Sequence, residues 1–245
     1  MLPLLSLFDL VNAAISAVIA VRVFMVYRQA KHEAAWYFLM FYVSFTFFWF
    51  FWGMPGVLVS NPQTMALTST AGFMALYLSM VAMVQVPFFF LNRREWGVIA
   101  AILVATSGAV FFLARIFNLE PSVLEVIGGV VYWRTGIAPW LRYFTGAVSL
   151  GVALLCTGTF GYLGWKERMH PVVYARSMYL ASGMAALVIA APFSFFLFNV
   201  VGFFWANMIA SMLVILGLLL MLFGILVEAK QNVAVTIKQE GIEYD

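Results

Sequence analysis

Residues 177–227 read SMYLASGMAALVIAAPFSFFLFNVVGFFWANMIASMLVILGLLLMLFGILV, fifty-one consecutive positions without an Asp, Glu, Lys, Arg or His. A helix crosses the hydrocarbon of a bilayer with about 20 residues, so this stretch is too long for one crossing. Phe198-Asn199-Val200-Val201-Gly202 divides it into two apolar segments, 177–198 and 203–227. Five further apolar runs precede this pair, near 4–27, 35–59, 70–91, 96–117 and 141–165. Each is long enough to span with some tilt. The chain therefore reads as an all-α integral membrane protein. A seven-transmembrane-helix bundle covers residues 1–230, and a short cytoplasmic tail covers 231–245.

Composition agrees. Hydrophobic residues make up 65% and charged residues 9%, against about 25% charged in soluble domains. The net charge of +3 does not point to nucleic acid, because positive charges in such a chain are mostly topology signals. They fall in alternate connections: Arg28 and Lys31 (with His32 and Glu33), Arg93 and Arg94, Lys166, Arg168 and Arg176, then Lys230 and Lys238 in the tail. The connections at 61–69 and 199–202 carry none. Nine of the thirteen Lys and Arg residues thus share one side. The positive-inside rule then puts the N-terminus outside and the C-terminus in the cytoplasm, with a multi-pass inner (cytoplasmic) membrane as the natural setting. The first helix is expected to be retained, since Asp9 interrupts its apolar run and no basic region precedes it.

Aromatic residues mark the expected interfaces: Trp36 and Tyr37, Trp96, Trp140 and Trp165. The run 41–52 is too aromatic for an interface alone. Its bland explanation is lipid-facing and interhelical packing, and its sharper one an aromatic ligand cage. In the longest connection, 118–139, Glu120-Pro121 suits a helix start, so a short helix on the outer leaflet is expected there. In the tail, Val233, Val235 and Ile237 alternate with polar residues, a weak strand pattern in what otherwise reads as a disordered end closing on Glu240, Glu243 and Asp245. Small residues recur at helical spacing, as Ala101/Ala105/Ala109, Ser182/Ala186/Ala190 and Ala206/Ala210, and are expected to be packing seams.

Ionisable groups at membrane depth are costly and raise a functional hypothesis. Asp9, Asn12 and Ser16 fall within about 60° of one another on the first helix. At comparable depth stand Arg115, Arg142 and Asn207. Asp9, Asn12, Arg115, Arg142 and Asn207 are therefore the candidate ligand-binding residues, and two arginines would suit a carboxylate. The competing explanation is that Asp9 pairs with Arg115 or Arg142 and ties the first helix to the bundle. Arg22, on the opposite face, reads as a snorkelling residue. Pro55, Pro87 and Pro192 are expected kinks, with Gln85 placed to satisfy the carbonyl that a kink frees.

Chemistry is largely missing. The two histidines, His32 and His170, lie in predicted loops, and no cysteine pairs with Cys156. No catalytic residue, metal site or cofactor is expected, and an enzyme is not. The seven-helix, N-out layout resembles a microbial rhodopsin, a family that holds retinal on a mid-membrane lysine of its seventh helix. Here that zone reads Ser211-Met212-Leu213-Val214-Ile215-Leu216-Gly217, so the resemblance is architectural. A looser likeness is to the seven-helix sensor regions of bacterial signalling proteins. Three functions follow as expectations: a receptor-like sensor acting through a partner, a structural or accessory subunit of a membrane complex, and a small-molecule transporter. The partners expected are membrane lipids, other membrane or cytoplasmic proteins, and further copies of the chain.

Overall fold

A computed structural model describes residues 3–58 and 61–239, with side chains described as far as Leu226. The elements are α1 (Leu4–Ala30), α2 (Glu33–Leu58), α3 (Pro62–Met83), α4 (Gln85–Phe90), α5 (Arg94–Phe117), β1 (Val123–Ile127), β2 (Val130–Arg134), α6 (Pro139–Lys166), α7 (Pro171–Phe195), α8 (Phe198–Val201) and α9 (Phe203–Gln239). Among the described residues seven helical stretches are long and apolar enough to cross a membrane, α3 and α4 together forming the third. The protein is a mostly helical, multi-pass membrane bundle with a two-stranded hairpin.

Four expectations need correction. The third span begins at Pro62, well before residue 70. Asn61 caps it, its Oδ1 accepting from the Gln63 amide at 2.9 Å, and Pro62 takes the first helical position. The hydroxyls of 61–69 bond back into the helix: Thr68 donates to the Thr64 carbonyl at 2.9 Å and Ser69 to the Ala66 carbonyl at 2.9 Å. Second, 118–139 holds an antiparallel hairpin, not a helix. Gly128 and Gly129 turn it at φ +56° and +84°, and the register pairs Ile127 with Val130 and Val123 with Arg134. Gly-Gly between β-branched runs is a two-residue hairpin signal that outweighs a favourable proline. Third, the backbone of α9 stays helical to Gln239, so neither a strand nor a disordered end begins at residue 231. Residues 240–245, which carry Glu240, Glu243 and Asp245, lie outside the described residues.

Fourth, the packing seam of α5 is Gly97, Ala101, Val104, Gly108 and Phe111, while Ala105 and Ala109 are exposed. Ser182 is likewise exposed, whereas Ala186, Ala190, Ala206 and Ala210 are buried as expected. Of the three prolines, only Pro87 follows a break in the helix, at Val84. α2 and α7 continue through Pro55 and Pro192. Pro87 has no N–H for the Met83 carbonyl one turn back. The Cys156 thiol of α6 reaches that carbonyl at 3.7 Å, and the Gln85 side chain donates to the Val81 carbonyl at 3.0 Å. A buried lone cysteine thus has a structural occupation.

Six helices form a ring in the order α1, α2, α3, α6, α7, α9, with α9 closing against α1. α5 stands outside it, against α3, α4 and α6. The α3–α6 side is the narrowest contact, and Tyr77 Oη and Thr145 Oγ1 bridge it at 3.0 Å. The hairpin sits over the end of the bundle where α1 begins: Tyr132 is buried and stacks on Phe203, with ring centroids 5.9 Å apart. Arg28, Lys31, Arg93, Arg94, Lys166 and Arg168 lie at the opposite end, where Arg94 pairs with Glu33 at 3.0 Å.

The hairpin contact has a pH signature. Burial first, and then the hydrogen bond from Tyr132 Oη to Glu125 with that carboxylate's charge, push the Tyr132 phenol from 10.0 up to about 12. A phenol whose folded value is raised contributes stability that is full below the unfolded value. That contribution is expected to be constant below about pH 10 and lost as pH rises towards 12. Tyr132→Phe should flatten this alkaline limb of a melting-temperature profile, and an unchanged limb would show that another group titrates there.

Candidate ligand cavity

The ring encloses a cavity of about 130 Å³ that reaches from the hairpin end into the bundle. Its wall follows helical periodicity. α2 contributes Phe41, Phe45, Phe48, Trp49 and Trp52, and α9 contributes Phe203, Asn207, Ser211 and Val214. Residues three or four apart share a helix face, so the aromatic run 41–52 divides: Phe47 and Phe50 point outward, Tyr42 is buried away from the cavity, and Phe41, Phe45, Phe48, Trp49 and Trp52, joined by Phe51, line the space. The interior rings form edge-to-face and offset contacts, such as Phe45–Trp49 at 5.7 Å and Trp52–Phe73 at 5.5 Å. Trp133 and Thr135 of the hairpin segment close the near end. α5 contributes nothing to the wall.

Three of the five candidate residues meet here: Asp9, Arg142 and Asn207. Asp9 accepts a long hydrogen bond from Ser211 Oγ at 3.5 Å. Arg142 donates from Nη2 to Thr135 Oγ1 at 3.0 Å, and its guanidinium lies 4.4 Å from the Phe198 ring centroid and 5.0 Å from that of Phe203. Asn207 Nδ2 donates to the Phe203 carbonyl at 2.7 Å. Arg142 and Thr135 also line a shallower groove beneath the hairpin, with Glu120, Glu125 and Arg134. Their hydrogen bond therefore stands between the groove and the interior cavity.

The other two candidates lie elsewhere. Arg115 is fully buried and spends its donors on backbone carbonyls: Asn118 at 3.3 Å, Glu120 at 3.2 Å, and Gly136. It ends α5 and pins both legs of the hairpin. Asn12 is fully buried but is not part of the wall, and neither polar atom of its amide has a partner on the protein. The expected tie between Asp9 and an arginine is not formed: the ion pairs among the described residues are Arg94–Glu33, Arg134–Glu125 and His170–Glu167.

Two further groups belong to the aromatic run 41–52, for which packing and a ligand cage were the two expected readings. Trp49 and Trp52 line the cavity, and the buried indole N–H of each lacks an acceptor on the protein. Gly72 of α3 makes room for one of them, since a Cβ there would fall 2.6 Å from Trp52 Cδ1. The signal available in sequence was the shared face of Trp49 and Trp52 with Phe41, Phe45 and Phe48.

Asp9 and Arg142 share a cavity without forming an ion pair, so Asp9→Asn and Arg142→Gln are expected to couple in a double-mutant cycle only at the low end of the about 0.5–3 kcal/mol range for residues that share a cavity. A coupling at the upper end would restore the ion-pair tie as the reason for both residues. No protein-family model matches the chain, and no curated protein matches its sequence.

Proposed function

We propose that the protein is a non-enzymatic, receptor-like membrane module that takes a small ligand into the ring cavity and passes its occupancy to a partner. The observation that carries this reading is an aromatic cavity among the apolar spans holding an acid and a guanidinium that form no ion pair with each other. Unsatisfied polar groups and unpaired charges at such depth are costly and mark function by default. With the basic residues gathered at the opposite end, the positive-inside rule sets the hairpin end outside and the basic end in the cytoplasm, facing the partner.

The subunit reading has its own support in α5. This helix lies outside the ring, and Val98, Ile102, Leu103, Leu113 and Ile116 are exposed along it, as an intermembrane-protein contact would require. The two readings separate on purification in gentle detergent from the native membrane, with mass spectrometry of co-migrating proteins. A protein that migrates alone or with one soluble signalling partner supports the receptor. A stoichiometric set of membrane proteins overturns it in favour of the subunit.

A further inference from the structure

We propose that the cavity binds a small methylated ammonium ion of tetramethylammonium's size, with Asp9 as its counter-ion and the aromatic wall around its methyl groups. The inference rests on the receptor-like reading of the same cavity and adds the chemistry of its ligand.

Size bounds the ligand first. An apolar cavity of about 150 Å³ takes up one benzene, and this one measures about 130 Å³. It admits a compact body of about five or six heavy atoms, close to benzene's own count, and no long chain.

Charge comes next. Among the described residues of the wall, Asp9 and Arg142 are the charged ones, and they differ in what they already hold. Arg142 donates to Thr135 and lies over the Phe198 and Phe203 rings at 4.4 and 5.0 Å. Asp9 holds only the long bond from Ser211 at 3.5 Å and pairs with no cation. Its carboxylate lines the cavity and, unlike the Trp49 and Trp52 indole nitrogens, is not sealed by protein. The two charges also sit at different levels. Phe203 beside Arg142 and Ser211 beside Asp9 share a face of α9 but stand eight residues apart, about 12 Å at 1.5 Å per residue. A carboxylate without a counter-charge among apolar spans is costly, and a cation in the cavity offsets that cost.

The wall selects the kind of cation. Gly53 of α2 packs on α1 at either side of Asp9: a Cβ there would stand 2.8 Å from the Ser6 carbonyl oxygen and 2.9 Å from the Leu10 nitrogen. Trp52, next in the chain to Gly53, and Trp49, one turn away, therefore stand near the level of the carboxylate. Ten of the lining residues are aromatic. Aromatic faces attract cations, tryptophan most strongly, and methylated ammonium ions are recognised by cages of them. A primary ammonium carries three N–H donors that need acceptors. A methylated nitrogen asks only for a counter-charge and ring faces, which this wall supplies. Arg142 is the one feature that opposes a cation, so its removal has a predictable sign.

The test uses the full chain in dodecylmaltoside, titrated separately with tetramethylammonium chloride and sodium chloride while the melting temperature is followed. Tetramethylammonium should give a saturable rise that sodium does not. Propionate and tert-butanol, negative and neutral probes of similar bulk, should give none. Asp9→Asn should weaken the apparent affinity tenfold or more, and Arg142→Gln should leave it unchanged or tighter. Trp52→Phe, which keeps a ring in place, should weaken it several-fold and carries the test if Asp9→Asn does not fold. A larger saturable rise with tert-butanol or propionate would overturn the ligand class while leaving the receptor-like reading of the cavity intact. An equal rise with sodium would do the same and make Asp9 a bare-cation site. Wild-type affinity in a folded Asp9→Asn variant, or in Trp52→Phe, would overturn the placement of the ion. No saturable rise with any probe would overturn the cavity as a ligand site, and the receptor-like reading with it.

Discussion

Gly217→Leu is expected to abolish a monodisperse fold, and Gly217→Ala to lower the melting temperature measurably. The reason is the crossing of α7 and α9. A Cβ at Gly217 would stand 2.8 Å from the carbonyl oxygen of Gly183, and one at Gly183 would stand 2.7 Å from the carbonyl oxygen of Gly217. Both are backbone atoms, so no rotamer change can give way and the helices must separate. Such close approach through small residues is how membrane helices gain contact when lipid is as apolar as their side chains. Overpacking a well-fitted site usually costs about 1–3 kcal/mol, and leucine at a backbone-to-backbone crossing belongs at or above the upper end. Gly151, whose Cβ would meet nothing within 4 Å, supplies the control: Gly151→Leu should leave the protein folded. Thermal unfolding and gel filtration in detergent read both, and equal behaviour of the two variants would remove the crossing as a determinant of the bundle.

The second large effect concerns Arg115. Arg115→Met is expected to destabilise the bundle by about 1.5–3 kcal/mol or more, the range for losing a hydrogen bond to a charged group. Three carbonyls, of Asn118, Glu120 and Gly136, lose their shared donor at once. These carbonyls flank the hairpin on both sides, so the local consequence should exceed the global one: trypsin should cut after Arg134 far faster in the variant. Lysine should rescue poorly, because an ammonium group cannot present the planar fork of donors that reaches separate carbonyls. A variant that melts like the wild type with its hairpin still protected would mean that the strand pairing and the Tyr132–Phe203 contact hold the hairpin unaided.

Arg115 also shows how a sequence-based site can be half right. Depth placed it correctly at the same end of the bundle as Arg142, and both are buried. Depth alone does not tell which way a side chain turns around its helix, nor whether its donors are already spent on backbone. Arg115 ends its helix next to an irregular segment with free carbonyls, whereas Arg142 begins one facing the ring interior. Asn12 fails for a related reason: its stripe with Asp9 is real, but the cavity wall follows α1 only from Leu5 to Asp9.

What the sequence by itself determined was the number of spans, their class and the segregation of basic residues to one end. These follow from length and apolarity, since a helix must satisfy its own backbone bonds wherever lipid surrounds it. The hairpin was equally local, written in Gly128-Gly129 and the β-branched residues around it. The ring was decided only by tertiary structure. In lipid nearly every face of every span is apolar, so periodicity carries little information about which face turns inward. The choice of Gly183 against Gly217, the exclusion of α5 from the cavity wall, and the meeting of Asp9, Trp49, Trp52 and Arg142 around one cavity all depend on contacts between distant segments.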